Sequence, residues 1–134
     1  MGVASPELMA SVFAERFNKR DVTALLELYE EDAVFTYDGI EKAVGKKQIE
    51  GALAGFMAAG LNFSGGYINV LTAGDYALVR MKWELRESSG SLMAAGISAE
   101  VLKCGADGRW RFFIDDAGGG MRGYQDVPTA QIQS

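Results

Sequence analysis

The sequence predicts an α+β domain with an antiparallel sheet, and three observations carry that reading. Apolar residues recur at helical spacing through the first half of the chain, the period changes to two beyond Gly60, and short turn sequences separate the alternating segments. Hairpin-length connections join antiparallel strands, whereas parallel neighbours need a crossover of a dozen or more residues.

Each element follows from its own residues. Ser5-Pro6-Glu7 reads as a helix start, with Ser as N-cap, Pro at the first helical position and an acid in the first turn. Met9, Val12, Phe13 and Phe17 then mark one helix face. Asn18 to Asp21 breaks the pattern, and Asp21 is placed to cap a second helix carrying Leu25, Leu26 and Tyr29 on one side. Residues 32–39 read as a short strand ending in the turn dipeptide Asp38-Gly39. A third helix is expected over 46–59, with Ile49, Leu53, Phe56 and Met57 as its stripe and Gly60 as its stop.

Strands are then expected at 67–72, 76–86, 92–103 and 109–116, in a meander. On the second of these, Ala77, Val79, Met81, Trp83 and Leu85 alternate with Tyr76, Leu78, Arg80, Lys82, Glu84 and Arg86, so the first set should meet the helices. Arg80, Lys82 and Glu84, with Glu100 from the next strand, are expected on the opposite face, open to water or a second copy. On the last strand strict alternation puts Trp110, Phe112, Ile114 and Asp116 on one face, and Arg109, Arg111, Phe113 and Asp115 on the other.

Composition narrows the function classes. With 134 residues and 49% apolar content the chain is read as one domain over 1–134, with 118–134 a polar, Gly-rich tail. A net charge of -5 argues against nucleic acid as a partner. No run approaches the ~20 apolar residues of a spanning helix, and no secretory leader is recognisable, so neither a membrane nor export is expected. The single cysteine, Cys104, has no internal partner and fits a reducing cytoplasm. There is no histidine, which excludes Ser-His-Asp and Cys-His catalysis and removes the commonest metal ligand. Neither metal nor cofactor is expected, and acid–base chemistry falls to Asp, Glu, Tyr or Lys.

Four ordered segments give a resemblance. Phe13 to Asp21, Ala24 to Phe35, Val44 to Ile49 and Asp107 to Arg111 resemble the NTF2-like superfamily, with its SnoaL-like and ketosteroid-isomerase-like members closest. The resemblance implies a cone-shaped barrel in which three helices cover a curved sheet and enclose an apolar pocket, commonly in a homodimer. It spans isomerases, cyclases, dehydratases and binding modules, so fold alone does not choose an activity. The isomerases use an Asp base with a Tyr and a protonated acid as hydrogen-bond donors, a known case of pKa tuning. Transferred by position, the tyrosine falls at Phe13, the base at Tyr37 with Asp38 next, and the protonated acid near Ser98 to Glu100. At best one of three roles is kept, which argues against steroid isomerisation by that mechanism.

The candidate catalytic residues are Asp116, Asp38 and Tyr37. If alternation holds to the strand's end, Asp116 enters an apolar pocket where its pKa rises, as a base or donor requires; if the strand ends sooner, it caps the Gly-rich turn. Asp38 lies at the expected pocket mouth, or serves its turn alone, and Tyr37 supplies a hydroxyl on the Phe35 face. Asp115 is expected to face outward near Arg111. The pocket lining is expected from Phe13, Phe17, Phe35, Phe56, Met57, Met81, Trp83, Met93, Trp110 and Phe112. Together these imply a small apolar molecule as ligand, handled by cofactor-free proton transfer of isomerase or lyase type. A non-catalytic binding module for a small ligand or peptide, and a structural dimer packed through the tail, are the rival readings.

Overall fold

The computed structural model describes residues 1–122. A 3-10 turn over Pro6–Leu8 leads into α1 (Met9–Asn18) and α2 (Val22–Leu26), followed by β1 (Tyr29–Thr36), β2 (Lys42–Val44) and α3 (Lys46–Ala58). Five strands complete the order: β3 (Asn62–Ala73), β4 (Tyr76–Arg86), β5 (Leu92–Ile97), β6 (Ala99–Cys104) and β7 (Trp110–Asp116). Asp21 caps α2 as expected, accepting the Ala24 N–H at 3.1 Å. Ser5 makes no such bond, because the chain opens with the tighter 3-10 turn. Tyr29 belongs to β1 rather than to the second helix.

The sheet runs β2-β1-β7-β6-β4-β3, with β5 pairing the far half of β4. Two expectations change here. The sheet is mixed, since β1 and β7 run parallel; most of the chain lies between them, so no hairpin dictates their direction. It is also an open curved sheet with edges at β2 and β3, not a closed barrel. The α+β class stands. The expected 92–103 strand divides at Ser98, and β3 begins earlier than its alternation predicts because Gly65-Gly66 carries no side-chain pattern.

The concave face holds the core. Ala77, Val79, Met81, Trp83 and Leu85 are all buried there, as the alternation predicts, with Met9, Phe13 and Phe17 of α1 and Ile49, Leu53 and Met57 of α3. Phe13 is the hub of an aromatic cluster, edge-on to Phe63 at 4.9 Å and to Phe112 at 5.9 Å between ring centroids. Asn18, the last residue of α1, holds the helix to the β3 edge: its amide donates to the Phe63 carbonyl at 2.8 Å and accepts from the Phe63 N–H at 2.7 Å.

A bulge in β7 decides which acid faces inward. Val101 stands opposite Ile114 while its neighbour Leu102 stands opposite Phe112, so Phe113 is an extra residue in the ladder. Phe113 and Ile114 consequently both point outward, Phe113 beneath the Lys103 ammonium at 5.7 Å, and the alternation resumes one residue out of step. After β7 the chain turns back, with the Gly120 N–H on the Ile97 carbonyl at 2.9 Å, where a Cβ would collide with Ile97. The expected tail is thus packed as far as Arg122, and its remainder, 123–134, lies outside the described residues.

Candidate functional site

Two buried carboxyl groups sit side by side on the concave face. Glu100 of β6 and Asp115 of β7 are directly opposed in the antiparallel ladder, an arrangement that brings Cβ atoms to about 5 Å. Both are buried, and both line a cavity walled by Phe13, Phe17, Phe35, Phe56, Phe63, Trp83 and Phe112. About 50 Å³ of this cavity is open to the centre of a water, enough for a few waters or a compact organic group.

Each carboxyl has its own partner. The Tyr29 hydroxyl, from the start of β1, donates to Asp115 Oδ2 at 2.8 Å. Burial and the two acids push the Tyr29 phenol well above its ordinary range, so it remains a donor. The Ser98 hydroxyl lies 2.7 Å from Glu100 Oε2, and Glu100 Oε1 has no hydrogen-bond partner among the described residues. Burial pushes the Asp115 carboxyl up to about 6 against the Tyr29 hydrogen bond, which favours the ionised form, while the Asp116 charge adds to the rise. Glu100 is pushed well above the carboxylate range by burial and by the neighbouring Asp115 charge, with Ser98 opposing. At neutral pH the pair therefore shares one proton, and the Tyr29 hydrogen bond favours the charge on Asp115.

The structure redistributes the sequence candidates. Asp116 does not enter the cavity; the Phe113 bulge turns Asp115 in instead, and Arg122 grips Asp116 at 2.8 Å and 2.7 Å. Asp115 correspondingly faces the cavity rather than Arg111, whose guanidinium pairs with Asp107. Asp38 is an exposed turn residue whose Oδ1 accepts the N–H groups of Ile40 and Glu41, and those bonds hold its carboxyl below the ordinary value. Tyr37 does reach the cavity, at its mouth, with its ring on Phe56 and Trp83 at 5.4 and 6.1 Å and 43% exposed.

Of the residues proposed for the pocket lining, Phe13, Phe17, Phe35, Phe56, Met81, Trp83 and Phe112 border this cavity. Met57 and Trp110 are core residues away from it, Trp110 bridged to Val3 by backbone hydrogen bonds. Met93 is 55% exposed on β5. Glu100, expected outside with Arg80, Lys82 and Glu84, is fully buried because the break at Ser98 resets the alternation. The residues missed were Tyr29, Ser98, Glu100 and Asp115. One signal pointed to two of them: the isomerase acid falls near Ser98 to Glu100.

The match to the SnoaL-like domain family covers residues 10–113. The chain belongs to that family, within the NTF2-like superfamily. No curated protein matches the sequence. Solved structures similar to this SnoaL-like chain include an NTF2-like protein with a cystatin-like fold from Novosphingobium aromaticivorans, 24% identical over 90% of this chain and 83% of that one, with a TM-score of 0.69. A ketosteroid isomerase-like protein from Erwinia carotovora atroseptica is 22% identical over 84% of this chain and 95% of that one, with a TM-score of 0.62. A protein provisionally named a dehydratase of the NTF2-like family, from Streptomyces avermitilis, is 18% identical over 85% and 92%, with a TM-score of 0.70. At these identities the likeness is one of fold. Among the described residues, no group of three or more His, Cys, Asp or Glu is placed to hold a metal, and no helix is long and apolar enough to cross a membrane.

Proposed function

We propose that this SnoaL-like domain catalyses cofactor-free proton transfer, of isomerase or lyase type, on a small and largely apolar carbonyl compound bound among the aromatic rings. The observation that carries the reading is the opposed pair Asp115 and Glu100, both buried and both lining the cavity. Asp115 is the base, its carboxyl raised towards neutrality as a general base requires. Glu100, protonated, donates to the carbonyl oxygen and stabilises the charge that develops there as the adjacent C–H proton leaves. Tyr37 closes the mouth over the bound molecule. Asp116 and Asp38 have structural roles instead, as the anchor of Arg122 and the cap of a turn. A homodimer, one domain over 1–134 with its C-terminal tail, and a cytoplasmic setting in keeping with the lone Cys104 complete the proposal.

The test works without the substrate being identified. A panel of small cyclic and aryl ketones is incubated with the protein in D2O, and loss of the α-proton signals is followed by NMR. At least one ketone should exchange faster with the wild type and with Asp116→Asn, and return to the background rate with Asp115→Asn. Exchange that persists in Asp115→Asn, or that no ketone shows, overturns the reading. Binding of a ketone that is never exchanged would identify a ligand-binding module in its place.

A further inference from the structure

We infer that Ser98 is a positioning residue that fixes which oxygen of Glu100 carries the proton, and so aims that proton at the cavity. The geometry stands independently; its catalytic meaning rests on the acid–base reading above. Ser98 lies at the break between β5 and β6, where the ladder to β4 loses its regular partner. Its N–H donates to the Met81 carbonyl at 2.8 Å, and its side-chain Oγ accepts the Met81 N–H at 3.0 Å, standing in for the missing carbonyl. The residue is buried against bulk solvent but borders the cavity, so a cavity water is the one alternative partner open to its hydroxyl.

A hydroxyl has one proton to give. With Oγ already accepting from Met81, the only acceptor for the Ser98 proton among the described residues is Glu100 Oε2 at 2.7 Å. The reverse polarity, with Glu100 donating to Ser98, would leave the serine proton without a protein acceptor among the described residues and only a cavity water to take it, a weaker arrangement than the charge-assisted bond to Glu100. Oε2 is therefore the acceptor, and a protonated Glu100 carries its hydrogen on Oε1. That oxygen is buried, has no partner among the described residues, and belongs to a side chain lining the cavity. The backbone of β4 thus orients the acid through one hydroxyl: Met81 N–H sets Ser98, and Ser98 sets Glu100.

The test reads the acid directly and needs no substrate. In the full chain labelled with 13C-glutamate, the infrared C=O stretch of protonated Glu100 is assigned by its loss in Glu100→Gln. Ser98→Ala removes the donor to the carbonyl oxygen, so the band should move to higher wavenumber and the ionisation midpoint of Glu100 should rise by about one pH unit. Ser98→Thr, which keeps the hydroxyl, should restore the wild-type band. Should Ser98→Ala fail to fold, Ser98→Cys supplies a weaker and longer donor, and its band should move part of the way. A band unmoved in whichever of these two variants folds overturns the inference, because a serine that only braces the strand would change stability and leave the carboxyl spectrum alone. A moved band in a protein that exchanges no ketone protons would leave Ser98 as the orienting residue and remove only the proposed reaction.

Discussion

Burying two carboxyl groups together weakens the fold, and the weakening has a pH window. Asp115 ionises near its ordinary value of 3.8 in the unfolded chain and at about 6 in the folded one. Between those values the native state holds a proton that the unfolded state has released, so stability falls as pH rises through the window and stays low above it. Asp115→Asn removes this penalty while leaving Tyr29 an acceptor. The variant should gain up to about 3 kcal/mol over the wild type at pH 8 and little or nothing at pH 4, by denaturant unfolding at both values. Equal effects at the two pH values would show that Asp115 is not the titrating group. Glu100 acts in the same direction, its ionisation raised further, so Glu100→Gln should also stabilise most at alkaline pH. Asp38 is the opposite case: exposed, with its carboxylate favoured by two backbone N–H groups, it belongs to the turn alone.

At the scale of elements, what was legible in the sequence is what strict periodicity carries. Helix α3, strand β4 and its buried face follow directly from residues spaced at 3.6 and at 2, and most of the aromatic cavity wall follows with them. The chemistry lies where periodicity fails. One extra residue at Phe113 exchanges Asp116 for Asp115, and one break at Ser98 turns Glu100 from the outer face to the inner. Neither position bears a Gly, Pro or Asn to announce it; each is set by pairing with a neighbouring strand distant in sequence. The parallel β1–β7 contact was illegible for the same reason. Asn18 is a further example, reading as a helix terminator while serving as a partner for β3. Its amide satisfies both backbone groups of Phe63, so Asn18→Ala should leave a part-buried N–H and C=O unpaired at the sheet edge. A loss of about 1–3 kcal/mol is expected in thermal or denaturant unfolding. Asn18→Asp should fall between, since it retains the acceptor for Phe63 N–H and loses the donor. A wild-type melting curve for Asn18→Ala would mean that α1 is held to β3 by apolar packing alone.

For the whole molecule, the same bulge that turns Asp115 inward turns Ile114 outward, and Ile114 completes an apolar row across the convex face. Leu71 stands opposite Leu78, Leu78 opposite Val101, and Val101 opposite Ile114, so the row crosses β3, β4, β6 and β7 without interruption. Leu71, Leu78 and Ile114 are 61%, 49% and 41% exposed, an uncommon loss of burial for aliphatic residues in the middle of a sheet. Two copies related by a two-fold axis can lay this row against itself, since an isologous interface needs only one self-complementary patch. This is the face through which the proposed homodimer should form. Leu78 lies at the centre of the row and outside the core, so Leu78→Asp should change the folding of an isolated subunit by only about 0.5 kcal/mol while placing two charges in the interface. Light scattering should give the mass of a dimer for the wild type and of a monomer for Leu78→Asp, with circular dichroism unchanged. A wild type that is monomeric, or a Leu78→Asp variant that stays dimeric at the same concentration, would remove this face from the assembly and leave the exposed row without a partner.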